Sequence, residues 1–314
     1  MSTTGYAWDP RFQGHFTRVG HPEHPDRARA LDAQKMAIDV PGLRRIAVDG
    51  DLGFAWVRRV HEDAYVSSVR DAHERGTRVL DRGDTWVSAD SYDVALLAVS
   101  ATLTLVAQVA GGTIDNGFAA VRPPGHHAGV GNARGFCLFN NVAIAARFAQ
   151  KRFGYSRILI LDWDVHPADG TESIFYEDPD VHVVSVHQHG IFTETVGTEA
   201  QSGRGEGEGT TYNVPVTKGA NEAQLLQRLE PVLDRAASRC RPDLVLVSCG
   251  FDAHRADPVG GLDLDDGSFR ILTQMAKRVA RDHAGGRLVS VLEGGYSPDV
   301  LARCARVHVE TLMD

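Results

Sequence analysis

Arg157-Ile158-Leu159-Ile160-Leu161 is an apolar run that ends directly in the charged sequence Asp162-Trp163-Asp164-Val165-His166. Its length and composition are typical of a buried β-strand. The arrangement occurs twice, because the apolar run Asp243-Leu244-Val245-Leu246-Val247 is soon followed by Gly250-Phe251-Asp252-Ala253-His254. Carboxylates and histidines at the end of a buried strand cost free energy unless a partner such as a divalent metal pairs with them. We therefore expect a buried sheet with a polar site at the ends of its strands.

Helical and strand patterns alternate along the chain. Seven segments have helical periodicity: Pro25–Ile38, His61–Glu74, Ser91–Ala110, Asn141–Arg152, Glu222–Ser238, Ser268–Asp282 and Pro298–Thr311. Five short apolar runs are strand candidates: Phe118–Val121, Ile158–Leu161, Val181–Val186, Leu244–Ser248 and Leu288–Leu292. This alternation predicts an α/β fold with a mostly parallel sheet covered on both faces. With no repeat or low-complexity linker visible, we predict one catalytic domain over residues 1–314.

Polar clusters follow all five predicted strands. In chain order they are Arg122–His127, Asp162–His166, His187–His189, Asp252 and Glu293–Tyr296. Parallel sheets bind ligands at the carboxyl ends of their strands, so the five clusters predict one shared site. The glycine-rich segment Gly203–Gly209 contains no Gly-Lys-Ser/Thr, and we interpret it as a flexible surface turn rather than a nucleotide site.

The composition is that of a globular protein, with 43% hydrophobic and 24% charged residues. The formal net charge of −8 argues against a sequence-independent nucleic-acid binder, which would be basic. The four cysteines, Cys137, Cys240, Cys249 and Cys304, form no CxxC pair, which indicates a reducing compartment. The N-terminus lacks an apolar signal region, and no apolar run is expected to approach the ~18 residues of a membrane span. We expect a cytoplasmic protein that does not associate with membranes.

Asp164 and His166 are the first candidate metal ligands. Residues two apart on an extended segment project to the same side, so both can reach one ion. With Asp252 they supply two carboxylates and one imidazole, and three protein ligands are typical of a catalytic zinc site. Iron(II) and cobalt accept the same ligands, and Asp164 with His166 could instead form an ordinary hydrogen-bonded pair.

His126 and His127 lie in a stiff loop after Pro123 and Pro124. Imidazoles near a metal need carboxylates to fix their tautomer, and Asp162 and Asp169 are the candidates. The rigid loop favours a general base, although a His-His pair alone is more often a surface feature.

Tyr296 follows two glycines that allow the backbone to approach the site closely. Its hydroxyl could donate to a developing oxyanion, or could make a structural hydrogen bond. Phe136 and Phe192 could line an apolar passage or pack in the core, and His187 and His189 are interpreted as structural or supporting residues. Activated water, a histidine base and a phenol donor together predict amide hydrolysis without a covalent intermediate.

These residues also carry a resemblance to a known family. The chain resembles the zinc-dependent histone deacetylase-like amidohydrolases, bacterial and class II-like, a family that includes acetylpolyamine amidohydrolases. The resemblance extends from His21–Arg27 to Glu293–Tyr296, and its most specific motifs are Pro123–His127, Gly135–Asn141 and Asp162–His166.

The resemblance implies the arginase/deacetylase fold with a central eight-stranded sheet, and it implies roles for individual residues. By this resemblance, zinc would bind Asp164, His166 and Asp252, and His127 would be the general base with His126 as its electrostatic partner. Asp162 and Asp169 would orient the two histidines, and Tyr296 would polarise the acyl carbonyl. Phe136, Phe192 and Gly295 would line the acyl-lysine tunnel, and Arg27 would lie near an acetate exit channel. Structural potassium is also implied, one ion at Asp162, Asp164, His166, Ser185 and Val186, and a second at Phe175, Asp178 and Val181.

The sequence departs from the family pattern at two positions. Pro167-Ala168 follows His166 where relatives usually have His-Gly, and position 169 is Asp, as in class I enzymes, where class II relatives tend to have Asn. A charged partner at Asp169 favours a more basic His127.

The substrate is left open between acyl-lysine in proteins, which we favour, and acetylated polyamines, as is the formation of a homo-oligomer. A polyamine enzyme needs an acidic residue at the tunnel mouth, and Asp84, Asp90 and Asp257 are candidates. A binuclear manganese ureohydrolase is disfavoured because His254 stands where a second metal would need a carboxylate. An inactive binding module is disfavoured because every predicted site residue is present.

Overall fold

One eight-stranded sheet forms the centre of the protein, as described by a computed structural model that covers residues 2–81 and 83–314. The strands are β1 (Thr4–Ala7), β2 (Arg44–Ile46), β3 (Asn116–Ala119), β4 (Ile158–Asp162), β5 (Val181–Gln188), β6 (Thr211–Val216), β7 (Leu244–Cys249) and β8 (Leu288–Leu292). Their order across the sheet is β2-β1-β3-β8-β7-β4-β5-β6, and every pair of neighbours is parallel. The predicted parallel α/β fold is confirmed.

Helices cover both faces of this sheet. They are α1 (Asp26–Ala30), α2 (Ala33–Asp39), α3 (Leu52–Trp56), α4 (Asp63–Asp71), α5 (Ser91–Ala110), α6 (Asn141–Phe153), α7 (Asp169–Phe175), α8 (Glu222–Cys240), α9 (Asp266–His283) and α10 (Pro298–Met313). Burial on both faces explains why β4 and β7 are continuous apolar runs rather than alternating ones, since each of their residues is buried.

The predicted helix Pro25–Ile38 is two helices, and this boundary prediction is wrong. The carboxylate of Asp32 accepts hydrogen bonds from the backbone N–H groups of Gln34 and Lys35, at 2.9 and 3.2 Å. Asp32 therefore caps the start of α2, and the chain turns between α1 and α2.

Helix α5 corrects the expectation about apolar length. By length and composition alone it could cross a membrane, with a mean hydropathy of 1.8. However, 78% of that window is buried inside the protein, where α5 packs against α6, α3 and β3. It is therefore the central helix of one layer.

Three strands and two helices have no counterpart among the predicted elements: β1, β2, β6, α3 and α7. They are short, and β1 and β6 contain glycine, threonine, asparagine or proline, which weaken a strand pattern. The segment Gly203–Gly209 forms a hydrogen-bonded turn, as a turn was predicted. Its Gly209 N–H donates to the carbonyl of Ser202 at 2.6 Å, and Arg204 N–H donates to that of Tyr176 at 2.8 Å.

Candidate metal and catalytic site

Two neighbouring central strands, β4 and β7, bring the three candidate metal ligands to one point. Asp164 and His166 follow the end of β4, and Asp252 follows the end of its neighbour β7. One donor atom from each of the three side chains lies within 4.8 Å of the others. His166 Nδ1 is 2.9 Å from Asp164 Oδ1 and 3.3 Å from Asp252 Oδ2. All three residues are buried, so their charges need a partner that solvent does not supply.

The backbone orients these carboxylates and leaves one oxygen free. Asp164 Oδ1 accepts from the N–H of His166 and Oδ2 from that of Gly294, while Asp252 Oδ1 accepts from the N–H of Val165. Asp252 Oδ2 is buried and has no hydrogen-bond partner among the described residues. A free carboxylate oxygen beside a second carboxylate and an imidazole suits zinc or another divalent ion with O/N ligands.

Protonation of the three side chains also fits a cation site. Burial disfavours a charge on His166, but the adjacent carboxylates of Asp164 and Asp252 raise its pKa to about 10. Burial and the negative charge of Asp164 raise the pKa of Asp252 to about 7. A metal ion bound by the two carboxylates and the imidazole would replace the proton of His166.

His126 and His127 each pair with a different aspartate. His126 Nδ1 lies 2.9 Å from Asp162 Oδ2, and His127 Nδ1 lies 2.6 Å from Asp169 Oδ1. Against the effect of burial, Asp162 and Asp164 raise the pKa of His126 well above its usual value. Burial and the positive charge of His126 lower the pKa of His127 to about 4. At neutral pH His127 is therefore the uncharged imidazole of the pair, which can accept a proton.

Tyr296 and the two loop phenylalanines surround this centre. Phe136 packs edge-on against Tyr296 with ring centroids 5.6 Å apart, and Phe192 stacks on His166 at 5.2 Å and contacts His127 at 4.8 Å. Burial, followed by the charge of Asp252, raises the pKa of Tyr296 well above its usual value. The phenol therefore stays protonated and can act as a donor.

Arg27 and Gly295 contact each other next to Tyr296. Arg27 is buried, and its guanidinium donates to the carbonyls of Gly295 and Glu293 and to the Glu23 carboxylate. Its central carbon is 4.9 Å from the centre of the Tyr296 ring. Gly295 has φ +120°, a conformation that favours glycine.

Two further residues of the site, Arg134 and Glu293, were assigned no individual role from the sequence. Arg134 lies in an unremarkable loop, yet its Nη1 is 2.5 Å from Asp169 Oδ2. Glu293 Oε2 accepts the backbone N–H groups of Gly125 and His126, which fixes the histidine loop. Burial raises the pKa of Glu293 to about 7. The sequence signal for this role of Glu293 in fixing the histidine loop is its position at the end of a predicted strand.

The remaining predicted residues lie around the centre. His187 is buried and joins Ser185 Oγ to the carbonyl of Gly197, whereas His189 is about half exposed at 47%, beside Glu194. Asp257 is buried and accepts the N–H groups of Tyr296 and Ser297, so it is not a rim acid. Asp90 is exposed before α5.

Asp84 is the exposed candidate nearest to the aromatic wall. Its backbone carbonyl lies 3.0 Å from His21 Nε2, and the His21 ring packs against Phe136 at 4.6 Å. For potassium, Asp162 pairs with Ser185 in the sheet register, but the two potassium sites stay predictions.

Comparisons with known proteins agree on one family. The sequence model of the histone deacetylase domain matches residues 21–312. The chain is 40% identical over 253 residues to Histone deacetylase 10, chloroplastic, of Oryza sativa subsp. japonica, covering 77% of this chain and 57% of that protein. It is 36% identical over 302 residues to the Histone deacetylase-like amidohydrolase of Pseudomonas aeruginosa, covering 94% and 77%.

A solved structure, the crystal structure of the HDA15 HD domain, superposes with a TM-score of 0.90 at 34% identity, covering 100% of this chain and 90% of that one. The chain spans little more than half the length of the rice relative, at 57%. The sequence match, the fold and the convergent strand-end side chains agree, and the chain belongs to the histone deacetylase family of hydrolases.

Proposed function

We propose that the protein is a zinc-dependent deacetylase that removes acetyl or other short acyl groups from acyl-lysine in proteins. The observation that carries the proposal is the buried group Asp164, His166 and Asp252, with a free oxygen on Asp252, next to a neutral His127. Family membership supports the same class of reaction on acetylated amines.

In this proposal each site residue has a separate role in amide hydrolysis. When bound by Asp164, His166 and Asp252, zinc supplies a Lewis acid that polarises the amide carbonyl and makes water more acidic. His127 takes a proton from the attacking water and later gives it to the leaving amine, while Asp169 holds the other ring nitrogen as a donor. Tyr296 donates its hydroxyl to the carbonyl oxygen as negative charge develops there.

His126 has a separate task in this proposal. Held by Asp162, it carries a positive charge beside His127, with the two ring centroids 3.9 Å apart. This charge lowers the proton affinity of His127, so that His127 is free to accept the proton of water at neutral pH.

Acetylpolyamine deacetylation is the second candidate, and one observation favours it. Asp84 is exposed beside His21, which packs on the Phe136 wall, so its carboxylate could meet the distal ammonium of a polyamine.

The test compares an acetyl-lysine peptide with N-acetylputrescine on the full chain with zinc. We expect a higher kcat/KM for the peptide, loss of activity on chelation and recovery with zinc. A preference for N-acetylputrescine, abolished in Asp84→Asn but retained in the exposed control Asp90→Asn, would instead support the polyamine enzyme. Absence of hydrolysis with both substrates would refute the proposed function.

A further inference from the structure

Arg134 contacts both aromatic walls of the proposed tunnel, Phe136 through the main chain of its turn and Phe192 through its side chain, and it also contacts Asp169. Its backbone closes a tight turn: Arg134 N–H donates to the carbonyl of Cys137 at 3.3 Å, and Cys137 N–H donates to that of Arg134 at 2.9 Å. The two residues inside the turn, Gly135 and Phe136, have φ of +53° and +70°, as a two-residue hairpin turn requires. The main chain of Arg134 thus fixes the turn that presents Phe136.

The side chain of Arg134 reaches the opposite side of the site. Its guanidinium carbon is 4.8 Å from the centre of the Phe192 ring, and its Nη1 is 2.5 Å from Asp169 Oδ2. The other oxygen of Asp169 holds His127 Nδ1 at 2.6 Å. Because Phe192 itself contacts His127, the four side chains of His127, Asp169, Arg134 and Phe192 form a closed ring of contacts.

The contacts in this ring restrict the rotation of two groups that the proposed reaction requires, the Asp169 carboxylate and the Phe192 ring. An aspartate bound only to His127 could rotate about its side-chain bonds, whereas a second partner on its other oxygen fixes the plane of the carboxylate. A guanidinium stacked on an aromatic face likewise limits the rotation of that ring. Phe192 therefore has the imidazoles of His127 and His166 and the guanidinium of Arg134 as neighbours.

We infer that Arg134 is a positioning residue for the deacetylase reaction, which orients His127 through Asp169 and fixes the Phe192 wall against which the acyl-lysine chain lies. The inference rests on the proposed function. It adds a third member to the His127–Asp169 pair and gives one side chain two separable effects, one on turnover and one on substrate binding.

The two effects can be separated with Arg134→Met and Arg134→Lys in the zinc-loaded full chain, assayed with an acetyl-lysine peptide. Methionine removes both contacts, and we expect kcat to fall by about 10- to 100-fold, as for other residues that orient a site. Lysine can still pair with Asp169 but lacks the planar group, so kcat should recover to within about three-fold of the parent while KM rises about two- to five-fold.

Arg204→Met is the matched control. Arg204 lines the same cavity of about 480 Å³ as Arg134 and Asp169, but it pairs with Glu177 at the surface. This variant should keep kcat and KM within two-fold of the parent. Thermal unfolding of all variants should stay close to that of the parent, because the Arg134 side chain is 40% exposed.

Two results would overturn the inference. The first is an Arg134→Met enzyme whose kcat and KM match those of Arg204→Met. The second is an equal loss of kcat in Arg134→Met and Arg134→Lys together with a lower Tm, because that result indicates a structural role. If Arg134→Met does not fold, Arg134→Lys still tests the inference, because its KM should rise while its kcat stays close to that of the parent. A parent without amidase activity refutes the proposed function and this inference together, whereas an active parent with an unchanged Arg134→Met refutes the inference alone.

Discussion

The two carboxylate oxygens of Asp252 differ in their surroundings, and this difference leads to a prediction about metal content. Oδ1 accepts the N–H of Val165, whereas Oδ2 is buried without a hydrogen-bond partner among the described residues. We expect one divalent ion per chain in the parent, and a large loss of bound metal in Asp252→Asn, because an amide lacks the negative charge. Elemental analysis of the purified proteins measures both.

Asp266→Asn is the control for that prediction. Asp266 belongs to a second cluster with His254 and Cys304, but its carboxylate is already paired with Arg303 at 2.9 Å. Its substitution should leave the metal content unchanged. Two ions per parent chain, or full metal content in Asp252→Asn, would contradict the proposed site.

Tyr296 gives a prediction that separates chemistry from structure. Tyr296→Phe keeps the ring that packs against Phe136 and under Arg27, and it removes only the hydroxyl. We expect kcat to fall by about 100- to 1000-fold, because one donor to the developing oxyanion is lost. Metal content and Tm should not change. A variant within a few-fold of the parent would show that the tyrosine is structural.

Asp169 controls the acidic side of the pH–rate profile. Its negative charge, 2.6 Å from His127 Nδ1, raises the proton affinity of that ring against the opposing effects of burial and His126. The reaction needs neutral His127, so activity is lost as pH falls through the pKa of His127. Asp169→Asn removes a charge that favours imidazolium, and the acidic limb should therefore move to lower pH.

His127→Ala is the comparison for Asp169→Asn, and it should nearly abolish turnover at every pH. Rates measured across the pH range for both variants provide the test. An unmoved acidic limb in Asp169→Asn would disprove the pairing, and an active His127→Ala would transfer the base to His126.

At the scale of elements, the sequence predicted the bounds of the helices that have long periodic patterns of apolar residues. Helix α5 has the bounds expected from its sequence, and α6, α8, α9 and α10 differ by at most two residues at each end. The strands β1, β2 and β6 were not predicted, because short strands with polar or glycine residues resemble loops until neighbouring strands supply their hydrogen bonds. The site was predictable for a different reason: its residues follow the ends of the apolar strands.

The turn after β8 shows why a glycine is needed beside the proposed metal ligands. A Cβ on Gly294 would lie 2.1 Å from Asp252 Oδ2 and 2.6 Å from Asp164 Oδ2. We therefore expect Gly294→Ala to displace both carboxylates and to lower metal content and activity strongly. Gly50→Ala is the control, because its Cβ would meet no atom within 4 Å. Equal metal content in the two variants would show that the turn can shift without cost.

At the scale of the whole molecule, the site depends on contacts between distant parts of the chain that no local pattern reveals. Asp169 follows a predicted ligand closely and could be named in advance, whereas Arg134 could not, because its position is fixed only when its loop folds over α7. In the same way, the buried charges around Glu23 link the N-terminal segment to the ends of β3 and β8. Charged residues in a loop are usually solvated, so nothing in the sequence indicated their burial.

Glu23 provides the prediction for the molecule as a whole. Its buried carboxylate lies 3.0 Å from Arg27 Nη1 and 2.7 Å from Arg122 Nη2, while Arg122 also donates to the carbonyls of Phe12 and His15. Glu23→Gln leaves two buried guanidinium groups without their shared counter-charge, which should lower the free energy of unfolding by about 3–5 kcal/mol. Activity should fall as well, because Arg27 also holds the Gly295 carbonyl beside Tyr296.

Urea unfolding followed by circular dichroism measures that loss of stability. Glu177→Gln is the matched control, since the exposed Glu177–Arg204 pair is screened by solvent and its removal should leave the unfolding midpoint unchanged. The two donors to Glu23 come from α1 and from the segment after β3, and Arg122 also binds the segment before α1, so the loss should affect the cooperative unfolding of the entire protein rather than one loop. Equal midpoints for the two variants would mean that solvent or a rearranged partner compensates both arginines, and that this cluster does not join the N-terminal segment to the sheet.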